Sequence, residues 1–322
     1  MNAIVQTGYG NSDVMEHREV APPIPGRGEV LIRVKAASLA AGEYFGMRGK
    51  PFPIRLYMGL FRPKPDFVVG IDCAGVVESV GEGVSEYRPG DEVYGQCRGS
   101  CAEFAVAKVG SIAPKPRALT FQQAAAVPTS ACTALQALRD HGKVRSGQHV
   151  LINGATGGVG TFAVQIAKAL GAQVTAVCST RNVELVRSLG ADHVIDYTRE
   201  DFTAGGPCYD VILDNVASHS LSETRRALKP DGVHLPSSGH EGMSWILAAA
   251  VSSLFVRQQG AVFMAVTNAE TLVALRELID SGKVTPVIDR TYPLEETASA
   301  FAYLDAGHAR GKVVIEVEPS AL

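Results

Sequence analysis

One stretch of this sequence, residues 148–171, restricts the possible folds more than any other. It begins with the apolar run Val150-Leu151-Ile152, which is typical of a buried strand. Four glycines then occur within residues 154–160, where the chain must turn sharply and expose backbone N–H groups. Apolar residues at helical spacing follow, and Gly171 stands where a helix would end. Strand, glycine turn and helix in this order predict the phosphate-binding corner of a dinucleotide-binding fold.

The spacing of the glycine turn supports this interpretation. It reads Ala155-x-Gly157-x-x-Gly160, the usual dinucleotide fingerprint with alanine at its first place. Glycine patterns of this kind also fill ordinary turns, so the flanking strand and helix carry most of the weight. The small residues would let the backbone approach a pyrophosphate closely.

Composition restricts the class of protein. The chain has 322 residues, 46% of them hydrophobic and 20% charged, which is enough for two cores. Its net charge of −3 gives no bulk attraction to nucleic acid or to an anionic membrane. The six cysteines show no CxxC pairs, so we expect reduced thiols in a cytoplasmic protein. The start carries no signal sequence, and the longest apolar run, 245–256, is too short to form a transmembrane segment.

The order of predicted elements indicates an α/β protein with two domains. Residues 1–110 contain many short β-type runs separated by glycine and proline, which favour a barrel-like antiparallel domain. From residue 149 onward strands and helices alternate, as in a doubly wound parallel sheet. The predicted strands are 149–153, 173–178, 193–196, 210–214, 232–236 and 261–266, and the predicted helices are 158–170, 181–189 and 219–228. The C-terminal helix 295–305 and strand 312–317 should fold back onto the first domain, because they could not bury their apolar faces alone.

The residues after the second predicted strand of the parallel sheet indicate which nicotinamide cofactor is bound. An acidic side chain there would accept hydrogen bonds from the adenosine ribose, yet residues 161–183 contain no Asp or Glu. Ser179, Thr180 and Arg181 stand there instead, and they offer two hydroxyls and a guanidinium for a 2′-phosphate. The two hydroxyls could also cap the following helix, and both roles are compatible. We therefore predict NADPH rather than NADH.

Further motifs occur in a fixed order along the chain. They are Gly70-x-Asp72-x-x-Gly75-x-Val77, Pro89-Gly90-Asp91-x-Val93, Ala124-Ala125-Ala126-Val127-Pro128, the glycine turn, Leu189-Gly190-Ala191-Asp192, Val194-Ile195-Asp196-Tyr197 and Gly307-His308-x-x-Gly311-Lys312-Val313-Val314. In these motifs the chain resembles the medium-chain dehydrogenase/reductase superfamily, in its zinc-independent quinone oxidoreductase-like branch, over essentially its whole length. The motifs are specific for the superfamily and much less so for the substrate.

The resemblance implies a domain division and a set of cofactor contacts. It implies a GroES-like β-barrel catalytic domain formed by residues 1–120 and 268–322, a Rossmann NADP-binding domain at 121–267, and an active site in the cleft between them. The cofactor contacts that it implies are Thr129, Ala155, Thr156, Gly157, Gly158, Val159, Gly160, Ser179, Thr180, Arg181, Tyr197, Asn215 and Lys312. Tyr197 would lie near the 2′-phosphate, or else cover the end of the sheet as an ordinary aromatic.

The resemblance also allows a test for a metal. In the zinc alcohol dehydrogenases of this superfamily, catalytic zinc is held at positions that match Ala40, Ile71-Asp72 and Thr129 here. Ala, Ile and Thr are not usual zinc ligands. Cys97 and Cys101 alone cannot complete a structural zinc site. We therefore predict no bound zinc, and without this Lewis acid a quinone or an α,β-unsaturated carbonyl is the expected hydride acceptor.

A proton donor is harder to assign. Tyr44 lies in the loop where the family places active-site residues, and related enoyl reductases have a donor tyrosine there. Many relatives have Asn and Asp where this chain has Ala40 and Glu43. Tyr44 is therefore a candidate catalytic residue, and the alternative is an aromatic with a satisfied hydroxyl. His240 and Glu241 are weaker candidates that we expect to be solvated.

Two apolar segments have no assigned role. Residues 242–257 could form a lid, a dimer contact or a membrane-surface element. In the second segment, Arg48, Lys50, Arg55, Arg62 and Lys64 surround the apolar residues Phe52, Leu56, Tyr57, Met58, Leu60 and Phe61. There we expect solvated charges and apolar side chains that contact substrate or a lid.

Together these features predict a zinc-independent, NADPH-dependent oxidoreductase that reduces a quinone or the activated double bond of an enone. The expected partner is a small-molecule substrate, and we expect a homodimer. Two alternatives stay open at this point. One is an alcohol dehydrogenase or carbonyl reductase of the same superfamily, and the other is a non-catalytic NADPH-binding protein.

Overall fold

The computed structural model describes residues 1–50, 52–237, 259–260, 263–307 and 309–317. Four of the features discussed above, His240, Glu241, His308 and the apolar segment 242–257, lie outside the described residues. The chain divides into two units, each with its own sheet. The first comprises Met1–Ser130, Thr267–Asp280 and Pro286–Leu322, and the second comprises Ala131–Val266 and Ser281–Thr285.

The first unit is built mainly from antiparallel strands. Its strands are β1 (Asn2–Gln6), β2 (Met15–Glu19), β3 (Glu29–Leu39), β4 (Asp72–Val80), β5 (Glu92–Gln96), β6 (Phe104–Lys108), β7 (Ile112–Pro114), β14 (Ile288–Pro293) and β15 (Lys312–Glu316). The larger sheet has the order β14-β15-β3-β4-β5-β7, with β6 also paired to β3, while β1 and β2 form a separate pair. Because β15 pairs with β3 in antiparallel register, the C-terminal segment belongs to this unit.

Helices cover parts of this sheet. They are α1 (Ala41–Arg48), α2 (Pro53–Met58), α3 (Phe121–Ala125), α8 (Ala269–Asp280) and α9 (Thr297–Asp305), with 3₁₀ turns at Ser12–Val14, Val109–Ser111 and Leu294–Glu296. Thr120 caps α3, because its Oγ1 accepts a hydrogen bond from the N–H of Gln123. α3 contacts β3 and β4, which places residues 121–130 with the first unit. The buried hydroxyl of Tyr94 donates to the carbonyl of Leu272 at 2.6 Å and so ties α8 to the sheet.

Two apolar clusters form the core of the first unit. One centres on β15 and α9 and includes Leu39, Phe301 and Val313, which are fully or almost fully buried. The other includes Ile32 and Val93 from the middle of the sheet. These residues come from the alternating apolar positions of the strands, as expected when one face of each strand is buried.

The second unit has the parallel sheet that the sequence predicts. Its strands are β8 (His149–Asn153), β9 (Gln173–Cys178), β10 (His193–Asp196), β11 (Tyr209–Asp214), β12 (Leu228–Pro236) and β13 (Gln259–Gly260). Their order is β10-β9-β8-β11-β12-β13 and all pairings are parallel. This is the doubly wound order, whose topological switch point lies between the first and fourth strands of the sheet.

Helices alternate with these strands. α5 (Gly158–Ala169), α6 (Val183–Ser188) and α7 (Leu221–Ala227) belong to the second unit, with a 3₁₀ turn at Thr180–Asn182 and a π-helical turn at Gln136–His141. α4 (Pro128–Leu135) begins at a proline. Proline fits the first helical position because its missing N–H would have no partner there. Phe162, Val164 and Ile166 of α5 are fully buried.

The predicted strand at 261–266 is wrong for its described part. The sixth strand is the short β13, and residues 263–266 form no strand. The backbone of Val266 bonds instead to the side-chain amide of Gln136, which donates to its carbonyl at 2.7 Å and accepts from its N–H at 3.0 Å. A side chain thus satisfies the backbone groups that a sheet ladder would otherwise satisfy.

Three further observations bear on the composition-based expectations. All six cysteines are free and five of them are buried. Within the described ranges, no helix is long and apolar enough to cross a membrane. In the same ranges, no three His, Cys, Asp or Glu side chains come together as a group that could hold a metal ion.

Candidate cofactor and active site

The glycine turn between β8 and α5 is held in a conformation that side chains would prevent. Gly154 has φ of +73°, and a Cβ atom there would lie 2.7 Å from Val216. A Cβ atom on Gly160 would lie 2.1 Å from the carbonyl oxygen of Gly154, so only glycine fits at this position. Gly157 is the N-cap of α5, and a Cβ atom there would meet nothing closer than 3.6 Å. The tight turn aims the N–H groups of the first helical turn, which have no intrahelical acceptors, at the carboxyl edge of the sheet.

A buried carboxylate supports this turn from the neighbouring strand. Asp214 ends β11 and is fully buried, and its Oδ1 accepts from Asn153 Nδ2 at 2.8 Å. The same oxygen accepts from the backbone N–H groups of Val216 and Ala217 at 3.1 and 2.9 Å. Ala217 has φ of +58°, a left-handed conformation that these bonds help to hold. Neither Asp214 nor Asn153 was singled out from the sequence, although a carboxylate at the end of an apolar run in an α/β chain is a usable signal.

The ionised form of Asp214 is stabilised although the side chain is buried. Burial acts to raise the pKa of this carboxyl group, but the His234 imidazole and the two backbone N–H donors outweigh it and hold the pKa below its usual range. His234 is itself almost fully buried, and its Nε2 lies 3.7 Å from Asp214 Oδ2. The carboxylate can therefore stay ionised and keep all of its acceptor positions near neutral pH.

Asn215, a predicted cofactor contact, follows Asp214 directly. Its Nδ2 donates to the carbonyl of Asn153 at 2.9 Å, and its Oδ1 accepts from the hydroxyl of Ser237 at 2.5 Å. These bonds fix the orientation of the amide at the carboxyl edge of the parallel sheet, where ligands bind in such folds. One amide N–H and one oxygen lone pair are not used by these two bonds.

Ser179, Thr180 and Arg181 lie at the end of β9, beside the glycine turn. Ser179 is the N-cap of the 3₁₀ turn but makes no side-chain capping bond, so the alternative capping role is not observed for it. Its Oγ accepts from Asn182 Nδ2 at 3.2 Å, and the same amide lies 3.4 Å from Thr156 Oγ1. Asn182, which the sequence reasoning missed, thus links this turn to the glycine turn.

The three candidate phosphate contacts differ in what they can still offer. Thr180 donates its hydroxyl proton to Asp196 Oδ2 at 2.5 Å, so only its oxygen and its backbone N–H remain for a ligand. Arg181 is exposed and forms no ion pair with any described residue. Tyr197 follows β10 and is 64% exposed. The structure places Arg181 and Tyr197 after adjacent strands, with both side chains open to solvent.

Asp196, at the end of β10, accepts a hydrogen bond from Thr180 of this turn. Its hydrogen bond from Thr180 is the strongest cause that lowers its pKa, and two bonds from Thr198 lower the pKa further. The carboxylate is buried and both of its oxygens already accept bonds from these hydroxyls. Because Asp196 is engaged with protein hydroxyls, it does not replace the ribose-binding acid that residues 161–183 lack, and the prediction of NADPH is unaffected.

A second polar cluster lies in the first unit, around Asp72 at the start of β4. Asp72 is fully buried and accepts from Thr129 through the backbone N–H at 3.2 Å and through the hydroxyl at 2.6 Å. Gln96 Nε2 in turn donates to the Thr129 hydroxyl at 2.8 Å. Lys312 begins β15, is 2% exposed, and places its Nζ 3.7 Å from Asp72 Oδ2. The Lys312 ammonium has no hydrogen-bond acceptor within the described part of the chain.

Glu43 joins this cluster from α1. Its carboxylate accepts from the backbone N–H groups of Ala40 at 2.9 Å and Ile71 at 3.1 Å. Burial and the neighbouring Asp72 charge raise its pKa to about 7, and the Lys312 charge offsets only part of this. Burial also raises the pKa of Asp72, against the opposing effects of Lys312 and Thr129. Ala40, Ile71 and Thr129, the positions compared with zinc ligands, thus contact two carboxylates through backbone N–H groups.

Tyr44 lies on the same helix as Glu43 but its hydroxyl contacts a different carboxylate. It donates to Asp305 Oδ1 at 2.8 Å, and Arg48 binds both oxygens of Asp305 at 2.8 and 2.7 Å. Burial and the bond to Asp305 raise the pKa of Tyr44. A tyrosine held in this way is a weak acid, and the bond to Asp305 would have to break before Tyr44 could donate elsewhere. The catalytic assignment of Tyr44 therefore stays a prediction, and this hydrogen bond weighs against it.

Comparison with known proteins gives two matches to family models. Residues 26–137 match the alcohol dehydrogenase GroES-like domain, and residues 189–315 match a model described as zinc-binding dehydrogenase. Together with the observed sheets, these matches confirm the predicted fold class, α/β with a GroES-like domain and a Rossmann-type parallel sheet.

Individual relatives extend over nearly the whole chain. The mitochondrial NAD(P)H oxidoreductase RTN4IP1 of Mus musculus is 36% identical to this chain. The alignment, 359 residues long including its gaps, covers 98% of this chain and 89% of that protein. The 2-methylene-furan-3-one reductase of Solanum lycopersicum is 36% identical over 334 residues, which cover 99% of this chain and 80% of the relative. The solved structure of the quinone oxidoreductase from Coxiella burnetii is 31% identical, with a TM-score of 0.87 and 99% of each chain covered.

The steric argument for the glycine turn predicts opposite outcomes at two of its glycines. We expect Gly160→Ala to lower the free energy of unfolding by about 1–3 kcal/mol, because the added methyl group overlaps the Gly154 carbonyl. Gly157→Ala is the matched control, and we expect its free energy of unfolding to stay within about 0.5 kcal/mol of the parent. Urea unfolding without cofactor measures both. Equal effects at the two positions would contradict the argument.

The raised pKa of Glu43 predicts a pH dependence of stability. Between pH 4.5 and about 7 the folded state binds more protons at Glu43 than the unfolded state does, so the free energy of unfolding falls as pH rises through this range. The parent protein should lose on the order of 1–3 kcal/mol of its free energy of unfolding between pH 5 and 8 through Glu43, and we expect Glu43→Gln to abolish this loss. The exposed Glu19 provides the control variant, Glu19→Gln. Unfolding curves at several pH values test this, and an unchanged slope in Glu43→Gln would refute it.

Proposed function

We propose a function for this chain from the premise that it belongs to the medium-chain dehydrogenase/reductase superfamily, in its quinone oxidoreductase-like branch. It is accordingly an oxidoreductase that uses a nicotinamide cofactor. We infer that it transfers hydride from NADPH to a quinone or to the activated double bond of an α,β-unsaturated carbonyl. The relatives support this acceptor class, since one is named for a 2-methylene-furan-3-one and another for a quinone.

The main observation in favour of NADPH is that Arg181 is exposed and available to bind a ligand. Its guanidinium is exposed, forms no ion pair with a described residue, and adjoins Ser179, whose own hydroxyl proton is not used in its bond to Asn182. A guanidinium can bind a phosphate through two parallel charge-assisted hydrogen bonds. Asp196, the neighbouring carboxylate, is already engaged by Thr180 and Thr198. This arrangement suits a 2′-phosphate better than a bare ribose hydroxyl.

The residues of each unit fit parts of a dinucleotide. In the second unit the turn at 154–160 has no side chain at Gly157, Gly158 and Gly160, so a pyrophosphate can approach the helix N-terminus. In the first unit the ammonium of Lys312 has N–H donors without an acceptor, although it is almost fully buried. Such a group is costly unless a ligand or another acceptor satisfies it. This supports the cofactor-binding role assigned to Lys312.

We infer that the reaction proceeds without zinc. Asp72 and Glu43 already accept hydrogen bonds from protein donors, and the Lys312 ammonium lies 3.7 Å from Asp72. A second cation at that carboxylate would be repelled by the ammonium. Ala40, Ile71 and Thr129 supply no usual zinc ligand. The match to a model described as zinc-binding dehydrogenase therefore reports shared ancestry of the fold and does not require a metal here.

The chemistry requires one hydride and one proton for each acceptor. When bound, the nicotinamide supplies the hydride. In the cluster around Asp72, burial and the Asp72 charge raise the pKa of Glu43 to about 7 and burial raises that of Asp72, so this pair of carboxyl groups can supply a proton near neutral pH. Thr129 and Gln96 form a fixed hydrogen-bonded pair next to Asp72 and can orient a polar acceptor group. Tyr44 is the other candidate donor, subject to its bond with Asp305.

Two finer features of the protein also remain proposals. Homodimer formation and a cytoplasmic location are both expected from the sequence alone. One of the relatives above is named as mitochondrial, so the names of the relatives do not point to a single compartment. The expected acceptor is a small molecule, in agreement with the names of the relatives.

The function predicts a specific pattern of cofactor oxidation. We expect purified protein to oxidise NADPH with 1,4-benzoquinone or a linear enone, and to act much more slowly on a simple aldehyde, because no zinc polarises an isolated carbonyl. NADPH should be at least about tenfold more efficient than NADH, as judged by kcat/KM. Absorbance at the nicotinamide band measures each rate. Preference for the aldehyde together with bound zinc would instead identify an alcohol dehydrogenase, and tight NADPH binding without turnover would identify a binding protein.

The role of Arg181 predicts a selective defect. We expect Arg181→Ala to raise the KM for NADPH by about 10- to 100-fold, through loss of charge-assisted bonds to the 2′-phosphate, and to leave the KM for NADH nearly unchanged. Arg187→Ala is the matched control, since Arg187 is also exposed but pairs with Glu184 at 2.9 Å. Steady-state kinetics with both cofactors test this. An equal rise in the KM for NADH would mean that Arg181 does not bind the 2′-phosphate.

A further inference from the structure

Exposed apolar side chains are concentrated in one short segment of the first unit. Of the ten large apolar side chains that are exposed among the described residues, four lie between positions 52 and 61. They are Phe52, Leu56, Leu60 and Phe61, with exposures of 60%, 71%, 43% and 87%, and we call them the 52–61 surface. The expectation that these residues contact substrate or a lid does not account for such exposure. Contiguous exposed apolar residues of this size generally mark an interaction site.

The segment that carries the 52–61 surface is anchored to the rest of the first unit. The hydroxyl of Tyr9 donates to the carbonyl of Gly59 at 2.5 Å. Arg55 donates to the carbonyl of Gly49 at 3.0 Å and stacks on the Tyr9 ring at 4.5 Å. Met58, between the exposed residues, is buried and contacts Gly46. The apolar side chains therefore project from a folded segment that has its own buried residue and hydrogen bonds.

Basic residues predominate in the segment that carries the 52–61 surface, although Glu43 and Asp66 flank it. Residues 44–65 contain five basic residues and no Asp or Glu, although the whole chain has a net charge of −3. Arg48 is paired with Asp305, and Arg55 is held by Tyr9 and Gly49. Lys50, Arg62 and Lys64 are exposed next to the apolar residues. Basic and apolar groups are thus displayed together on one segment.

We propose that the 52–61 surface docks this protein reversibly on an anionic lipid membrane. Short amphipathic elements with Phe and Leu beside Lys and Arg insert into the boundary between headgroups and acyl chains. Each basic residue near an anionic surface strengthens binding by about fivefold. A second copy of this chain is a poorer partner, because a twofold interface would bring the same basic groups face to face. The proposal is independent of the identity of the hydride acceptor.

The test is co-sedimentation of the purified full chain with lipid vesicles. We expect binding to vesicles of phosphatidylcholine with about 30% phosphatidylserine, weaker binding to phosphatidylcholine alone, and a marked loss as salt rises from about 0.1 to 0.5 M. The double variant Leu56→Ser with Phe61→Ser should bind at least about tenfold more weakly. Lys50→Glu with Arg62→Glu should also weaken binding, and only to the anionic vesicles. Ile24→Ser is the control, because Ile24 is 89% exposed but lies outside this segment.

Several results would overturn the proposal. No binding of the parent protein, equal binding to both kinds of vesicle, or an equal loss in Ile24→Ser would each do so. If Leu56→Ser with Phe61→Ser converts a dimer to a monomer in analytical ultracentrifugation, the surface is an interface between copies. Thermal melting establishes that each variant is folded before it is compared. Because no substrate enters this experiment, its outcome is separate from that of the activity assays.

Discussion

The contact between Gly160 and the carbonyl oxygen of Gly154 is the constraint on which the second unit depends. It allows α5 to begin immediately beside the end of β8, so that the helix N-terminus faces the carboxyl edge of the sheet. The buried carboxylate of Asp214 then fixes the adjacent loop by three hydrogen bonds, and that loop carries Asn215. A steric requirement at one glycine and an electrostatic requirement at one aspartate thereby position most of the predicted cofactor contacts of this unit.

The first unit concentrates ionisable groups in one buried cluster at the start of β4. Glu43, Asp72 and Lys312 place two carboxylates and one ammonium within a buried cluster, and the pKa values of both carboxyls are raised. A single ammonium cannot neutralise two carboxylates, so one proton is readily retained there near neutral pH. Under the proposed function, this proton would serve the reduction of a conjugated acceptor, which needs no Lewis acid to polarise an isolated carbonyl.

The sequence predicts the local features of this molecule well and the distant ones poorly. The glycine turn and the individual strands of the parallel sheet depend on residues a few positions apart, where periodicity and spacing are informative. The pairing of Tyr44 with Asp305 spans 261 residues and joins two helices that are far apart in the sequence. The Gln136 side chain replaces a predicted strand partner at Val266, and no local pattern signals this. Asn182 and Asp214 were missed because each acts through a neighbour and not through a motif of its own.

The pairing of β15 with β3 has a consequence for the order in which the chain can fold during synthesis. β15 is one of the sheet neighbours of β3, and among the described strands β14 pairs with β15 alone, so the first unit stays incomplete until residues 288–316 have been synthesised. Most of the second unit lies within the continuous stretch from Ala131 to Val266 and can fold earlier. Until then the edge of β3 that pairs with β15, and the apolar residues Ala37 and Leu39 that pack with Val313, lack their partners, so slow synthesis of this segment would favour aggregation of the nascent chain.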